Sequence, residues 1–288
     1  MTDAEEEAED QAGAPGKNLS FSERSQVRKA AKPGARVVYE IIRTEGESEL
    51  RRPFSALWWS GVAAGISIGF SFLTEAALSA HLPASEWTPI IAKLGYAVGF
   101  LIVILGHQQL FTENVLTAVL PVISRRKPSW FFKMLRLWST VLAANVVGCI
   151  VFAWFFAFVA MLGPAVQQGL TDIVQHLMAN NPYQMFVKGI GAGWVIAALV
   201  WILAATKGED FLIITLLTYL IALFGFTHIV AGTAEVAYGV MTGTVTLHNS
   251  IFQFFLPTLA GNVFGGTVLF SALSYAQVRE EIFESDSD

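Results

Sequence analysis

The chain has 288 residues, 54% of them hydrophobic and only 14% charged, with a mean hydropathy of +0.53. A soluble domain carries about 25% charged residues, so too few are present to cover a water-facing surface, and a soluble class is excluded. The net charge of -5 hides an uneven distribution, and the single cysteine, Cys149, excludes a disulfide framework within the chain.

Asp3, Glu5, Glu6, Glu7, Glu9 and Asp10 load the first ten residues with acid, and Arg24, Arg28, Lys29, Lys32, Arg36 and Arg43 follow. Residues 1–50 therefore read as a cytoplasmic tail, a disordered acidic tip and then a basic helical stretch. A polar, acidic start is the wrong one for a secretory signal peptide. Beyond it the apolar residues come in blocks of about 20, the length that spans a hydrocarbon core. The expected spans are 54–80, 94–123, 137–163, 188–206, 211–243 and 251–276. Residues 51–278 thus predict an all-α membrane domain of six helices, with 279–288 as a C-terminal tail. Cys149 falls inside the third span and reads as a small apolar filler. Glu75, near an end of the first, is expected to reach toward the interface.

The second and fifth spans carry polar residues at their centres. Gln108, Gln109, Thr112, Glu113 and Asn114 interrupt one; Thr227, His228, Gly232, Thr233 and Glu235 interrupt the other. Exposing these to lipid costs several kcal/mol, so they are expected to face a protein interior or a cavity, with the helices broken there. Six crossings place both termini and the 2–3 and 4–5 loops on one side. That side holds 16 of the 18 Lys and Arg; the other holds Lys93 and Lys188. By the positive-inside rule both termini are cytoplasmic and the protein sits in an inner membrane.

Ala144-Asn145-Val146-Val147-Gly148 in the third span is echoed by Gly261-Asn262-Val263-Phe264-Gly265 in the sixth, the asparagines standing 117 positions apart (145 and 262). The same offset carries Thr112 to position 229, beside His228. Three crossings per copy is an odd number, so the copies are expected to insert with opposite topology. Inverted repeats with a broken helix in each half place a site near the bilayer midplane.

Leu110-Phe111-Thr112, Asn145-Val146-Val147-Gly148, Gly225-Phe226-Thr227-His228 and the run from Leu256 to Gly266 together resemble the formate/nitrite transporter family over residues 54–276. The leader Glu45-Gly46-Glu47-Ser48-Glu49-Leu50-Arg51-Arg52-Pro53 and the Gln108–Asn114 loop look like a branch other than the formate-channel members. The resemblance implies an aquaporin-like fold and a homopentamer with one pore per protomer. It also implies small monovalent weak-acid anions, such as formate, nitrite or acetate, as substrates. His228 matches the family's central histidine and Thr112 the threonine facing it. Leu110 and Phe111 match residues that narrow the pore, and Asn262 matches a polar residue lining it. His107-Gln108-Gln109 departs from the family's usual residues before Leu-Phe-Thr, Glu113 stands where a small residue is usual, and Gly232 and Gly193 stand where the family has asparagines. A lysine expected before the fourth span has no clear counterpart; His176 and Lys188 are the nearest basic residues.

An anion crossing hydrocarbon meets a large desolvation penalty unless it is neutralised or given a polar path. Histidine exchanges a proton near physiological pH. The expected pathway therefore runs by His228, which donates a proton or a hydrogen bond, past Leu110, Phe111 and Phe226, with Thr112, Asn145, Asn262 and His107 beside it. Glu113 and Glu235 would repel an anion if both were ionised, and a cation or proton pathway with the same fold would use them directly. A non-conducting scaffold gains nothing from the polar breaks. A water or glycerol channel needs two Asn-Pro-Ala motifs, which are absent. Gly65-Ile66-Ser67-Ile68-Gly69 spells a hydrolase nucleophile pattern but lies in an apolar helix where Gly61, Gly65 and Gly69 form a packing stripe, so no enzyme is expected. The five scattered histidines and the lack of a phosphate-binding loop predict neither metal nor cofactor. The basic patch 125–136 reads as a topology signal next to anionic lipid, not a nucleic-acid site.

Overall fold

The computed structural model describes residues 31–284, together with Ser20, Ser22, Glu23 and Gln26; for 279–284 it describes the backbone alone. The acidic tip and Arg24, Arg28 and Lys29 of the basic stretch lie outside the described residues. The chain divides into a first unit up to Gly34 and a second from Ala35 onward. In the first, Ser20 and Glu23 form a reciprocal cap: the Glu23 N–H donates to Ser20 Oγ at 3.3 Å, and the Ser20 N–H donates to Glu23 Oε2 at 2.7 Å.

Every element of the second unit is helical among the described residues. In chain order these are α1 (Ala35–Glu49), α2 (Phe54–His81), α3 (Thr88–Leu105), α4 (Phe111–Thr117), α5 (Val119–Arg125) and α6 (Pro128–Val159). They are followed by α7 (Pro164–Met178), α8 (Pro182–Ala205), α9 (Asp210–Leu223), α10 (Ile229–Met241) and α11 (Leu247–Val278, continuing to Glu284). Five helices are long and apolar enough to cross a membrane: α2, α3, α6, α8 and α11. The expected spans 94–123 and 211–243 are each divided. One is α3 followed by α4 and α5; the other is α9 followed by α10.

Both breaks have the same hydrogen bonding. After α3 the N–H groups of Gly106, His107 and Gln108 donate to the carbonyls of Ile102, Ile104 and Val103. After α9 those of Phe224, Gly225 and Phe226 donate to Leu220, Ala222 and Ile221, each pair 118 residues further on. This satisfies the last carbonyls of each helix and needs one left-handed residue. Gly225 supplies it at φ +61°, and His107 at φ +49°.

Packing follows the same correspondence. α2 lies along α6 and is flanked by α3, α7 and α10; α8 lies along α11 and is flanked by α9, α1 and α4. Small residues allow these backbones to touch: a Cβ at Gly65 would run into the Asn145 carbonyl, and one at Gly193 into the Asn262 carbonyl. The Gly-x-Ser-x-Gly run is therefore interior to an unbroken helix, with Gly69 facing the Phe152 ring. The stretch 164–187, for which no element was expected, contains α7 and the start of α8. α7 packs on α2 as α1 packs on α8.

α1 is held by burial and by charge. Val38, Tyr39 and Ile42 enter a cluster with Leu116, Leu120, Ala197 and Val278. Arg125 grips the Glu47 carboxylate through Nε and a terminal nitrogen at 2.9 and 3.1 Å, and Arg136 donates to the carbonyls of Leu50 and Arg52. Arg51, Arg125 and Lys133 stand over the Trp130 ring.

Candidate functional site

The two breaks meet in the interior. His228 precedes α10 as its N-cap, and its Nδ1 accepts the Ala231 N–H at 3.2 Å. That bond places the ring N–H of a neutral imidazole on Nε2, which lies 2.7 Å from the Thr112 hydroxyl at the start of α4. Both residues are nearly wholly buried, at 3% exposure for Thr112 and 2% for His228. The Phe100 ring stands edge-on to the imidazole at 5.0 Å and fixes its plane.

Each loop is bolted down by one asparagine. Asn145 on α6 accepts the Phe111 N–H at 2.9 Å and donates to the carbonyls of Gly61 and Gln109, both at 2.8 Å. Asn262 on α11 accepts the Ile229 N–H at 2.8 Å and donates to the carbonyls of Gly189 and Thr227, at 2.9 and 2.8 Å. The two amides do the same work at matching places, tying the first N–H of a half-helix to the preceding loop and to a neighbouring helix. Both are fully buried and line neither cavity described next.

A cavity of about 640 Å³ opens on the α1 side of the Thr112–His228 pair, lined among others by Glu45, Glu49, Arg52, His107, Gln108 and Glu113. Burial in its wall and the adjacent Glu49 carboxyl hold Glu45 above the usual carboxylate range, against the opposing pull of His107. On the α7 side a cavity of about 70 Å³ is lined by Glu75, Lys93, Tyr96, His176, Phe226, His228 and Glu235, among others. Lys93 Nζ donates to the Ala222 carbonyl at 2.8 Å and stands 4.0 Å from the Glu75 carboxylate.

The residues singled out in the sequence therefore divide into groups. His228 and Phe226 line the small cavity; Glu113 and His107 line the large one; Thr112, bonded to His228, Leu110 and Phe111 are buried and line neither. Phe111 turns its ring edge-on to Trp138 at 6.0 Å. Glu113 and Glu235 fall in different cavities, and neither carboxyl has a hydrogen bond or ion pair among the described residues. Glu75 lines the small cavity, with its carboxylate 4.0 Å from Lys93 Nζ. Sequence reasoning also missed Lys93 and Tyr96 as site residues. The signal for Glu75 was available, since an ionisable residue inside a span is a site candidate by default. Lys93 precedes the long apolar run and gave none. Lys188 donates to Asn180 Oδ1 at 2.6 Å, and Asn180 and His176 both line the small cavity.

Comparison with known proteins agrees with this geometry. The inner membrane protein YfdC of Escherichia coli (strain K12) is 41% identical over 248 residues, covering 86% of this chain and 80% of that protein. The formate channel FocA of Haemophilus influenzae is 25% identical over 247 residues, covering 76% and 84%. Among solved structures, an FNT family ion channel superposes with a TM-score of 0.70 at 19% identity, covering 84% of this chain and 98% of its own. A pentameric formate channel with formate bound gives 0.66 at 21%, covering 82% and 98%. The model of the formate/nitrite transporter family matches residues 36–276. Twin broken helices, their paired asparagine bolts and this match over most of the chain have one reading: the protein belongs to the formate/nitrite transporter family.

Proposed function

We propose that the protein is a membrane channel or transporter for small monovalent weak-acid anions of the formate, nitrite and acetate kind. The observation that carries the reading is the Thr112–His228 hydrogen bond, a donor pair buried between two cavities. An anion that reaches this point exchanges its last waters for the Nε2–H of His228 and the hydroxyl of Thr112, and His228 donates a hydrogen bond or a proton to it. Leu110, Phe111 and Phe226 keep water from following. The matched breaks, 118 residues apart, support six crossings in two inverted halves, with α3–α5 and α9–α10 as the broken ones. The basic residues beside α1, α5 and α6 support cytoplasmic termini in an inner membrane. The formate channels among its relatives support the substrate class, and the pentameric one supports a homopentamer.

A second reading, conduction of a monovalent cation or proton, draws on the unpaired carboxyls of Glu113 and Glu235, one in each cavity. Uptake of formate, nitrite, acetate and a monovalent cation into proteoliposomes at about pH 5.5 and about pH 7.5 separates the two. Anion uptake that is lost in His228→Ala supports the first. Cation uptake without anion uptake, abolished by Glu113→Gln, sinks it in favour of the second.

A further inference from the structure

Glu235 follows His228 on α10 by seven residues, about two helical turns. Only 7% of it is exposed, yet its side chain lines the small cavity. The titratable groups facing that cavity are Glu75 from α2, Lys93 and Tyr96 from α3, His176 from α7, and His228 itself. Lys93 is committed to the Ala222 carbonyl and to Glu75. Among the described residues, no N–H or O–H donates to the Glu235 carboxyl and no cation pairs with it. His228 is placed differently. A second proton on its ring must go to Nδ1 and so must break the bond from the Ala231 N–H that caps α10. Moving a proton on or off Glu235 breaks no hydrogen bond of the protein.

We propose that Glu235 is the proton-exchange group of the small cavity, loading weak-acid anions with a proton before they reach His228. The inference rests on the anion reading above and assigns its proton step to a residue. An anion entering the cavity takes the carboxyl proton: the Glu235 O–H bond breaks and an O–H bond forms on the anion. The neutral acid passes on to the Nε2–H of His228, and the Glu235 carboxylate takes a new proton from a hydronium ion in the same mouth, leaving water. One anion and one proton move together, so no net charge crosses.

Two measurements on the reconstituted full chain test this. Wild-type protein is treated with dicyclohexylcarbodiimide, which adds to protonated carboxyls, from about pH 5 to about pH 8, and the peptide carrying Glu235 is read by mass spectrometry. Labelling of Glu235 that falls as pH rises supports the proposal. No labelling, or labelling indifferent to pH, overturns it whether or not the protein carries formate. In the second, Glu235→Gln, Glu235→Asp and wild type are compared for formate counterflow at equal pH and for uptake driven by acid on the side of the small cavity. The expected result is that in Glu235→Gln counterflow slows and acid stimulation, about tenfold per pH unit for one proton, disappears, while Glu235→Asp retains both. Retained stimulation in Glu235→Gln overturns the proposal but leaves the anion pathway standing. Absence of formate movement in wild type overturns the pathway, while the labelling still decides whether Glu235 exchanges protons.

Discussion

The Thr112 hydroxyl and the His228 ring, 116 positions apart in the chain, meet at 2.7 Å, each at the start of a half-helix. Thr112→Val keeps the shape and removes the hydroxyl, leaving the Nε2–H buried without a partner at a cost of about 1–3 kcal/mol. The variant is expected to melt at a lower temperature in detergent and to take up formate about tenfold more slowly, about 1.4 kcal/mol on the barrier. Thr112→Ser restores both. Wild-type uptake in Thr112→Val would remove the hydroxyl from the pathway.

His107 and Gly225 hold the same left-handed place in two copies of one turn, at φ +49° and +61°. A side chain there costs about 1 kcal/mol relative to glycine. His107→Gly is therefore expected to raise stability by about that amount, read as a higher midpoint in thermal unfolding. An unchanged or lower midpoint would mean that the imidazole makes a compensating contact in the large cavity.

Asn145→Asp keeps the acceptor for the Phe111 N–H but turns two donated bonds into oxygen facing the carbonyls of Gly61 and Gln109. Interhelical hydrogen bonds in membranes contribute about 0.6–1.7 kcal/mol each, so the loss is about 2–4 kcal/mol with repulsion included. Yield of folded protein by size-exclusion chromatography should fall sharply. Asn262→Asp should behave alike, since its amide has the same three partners by type.

Gly46 lets α1 lie against α4, where a Cβ would run into the Thr117 carbonyl. Gly46→Ala should lift α1 from its seat at a cost of about 1–3 kcal/mol. Faster proteolysis within 35–49, with the rest of the chain intact, is the expected readout. Equal protection would show that the helix can shift without leaving.

Glu45 binds its proton more tightly in the folded protein than in the unfolded chain, because of the cavity wall and Glu49. Its contribution to stability is thus fully present below the ordinary carboxylate range and is lost as pH rises through the elevated value. Glu45→Gln should flatten that part of the pH dependence of the melting temperature and stabilise the protein at neutral pH. A slope identical to wild type would assign the effect elsewhere.

Much of this architecture was legible in the sequence because a membrane leaves few choices. Apolar runs of spanning length set most of the helices, and polar residues inside two of them marked the breaks. The likeness of the two breaks was legible through Asn145 and Asn262, but what their amides do, holding the loops, is visible only once Phe111 and Ile229 are in place. α7 was missed because its amphipathic pattern is short and lies between two long apolar runs. The small cavity was only half legible. Glu235 and His228 share a span, whereas Glu75, Lys93 and His176 come from three other helices, and no spacing rule links them.

The two mouths differ about ninefold in volume, roughly 640 against 70 Å³, and they carry different charges. That inequality sets how quickly a solute is captured on each face and which solute sheds its water. It has no influence on where the solute finally accumulates. A passive conduit obeys microscopic reversibility, so whatever hastens passage one way hastens it equally the other way, and the final gradient belongs to the two solutions. A lopsided protein of this kind can be choosy and fast, and direction is supplied only by what it couples to the solute.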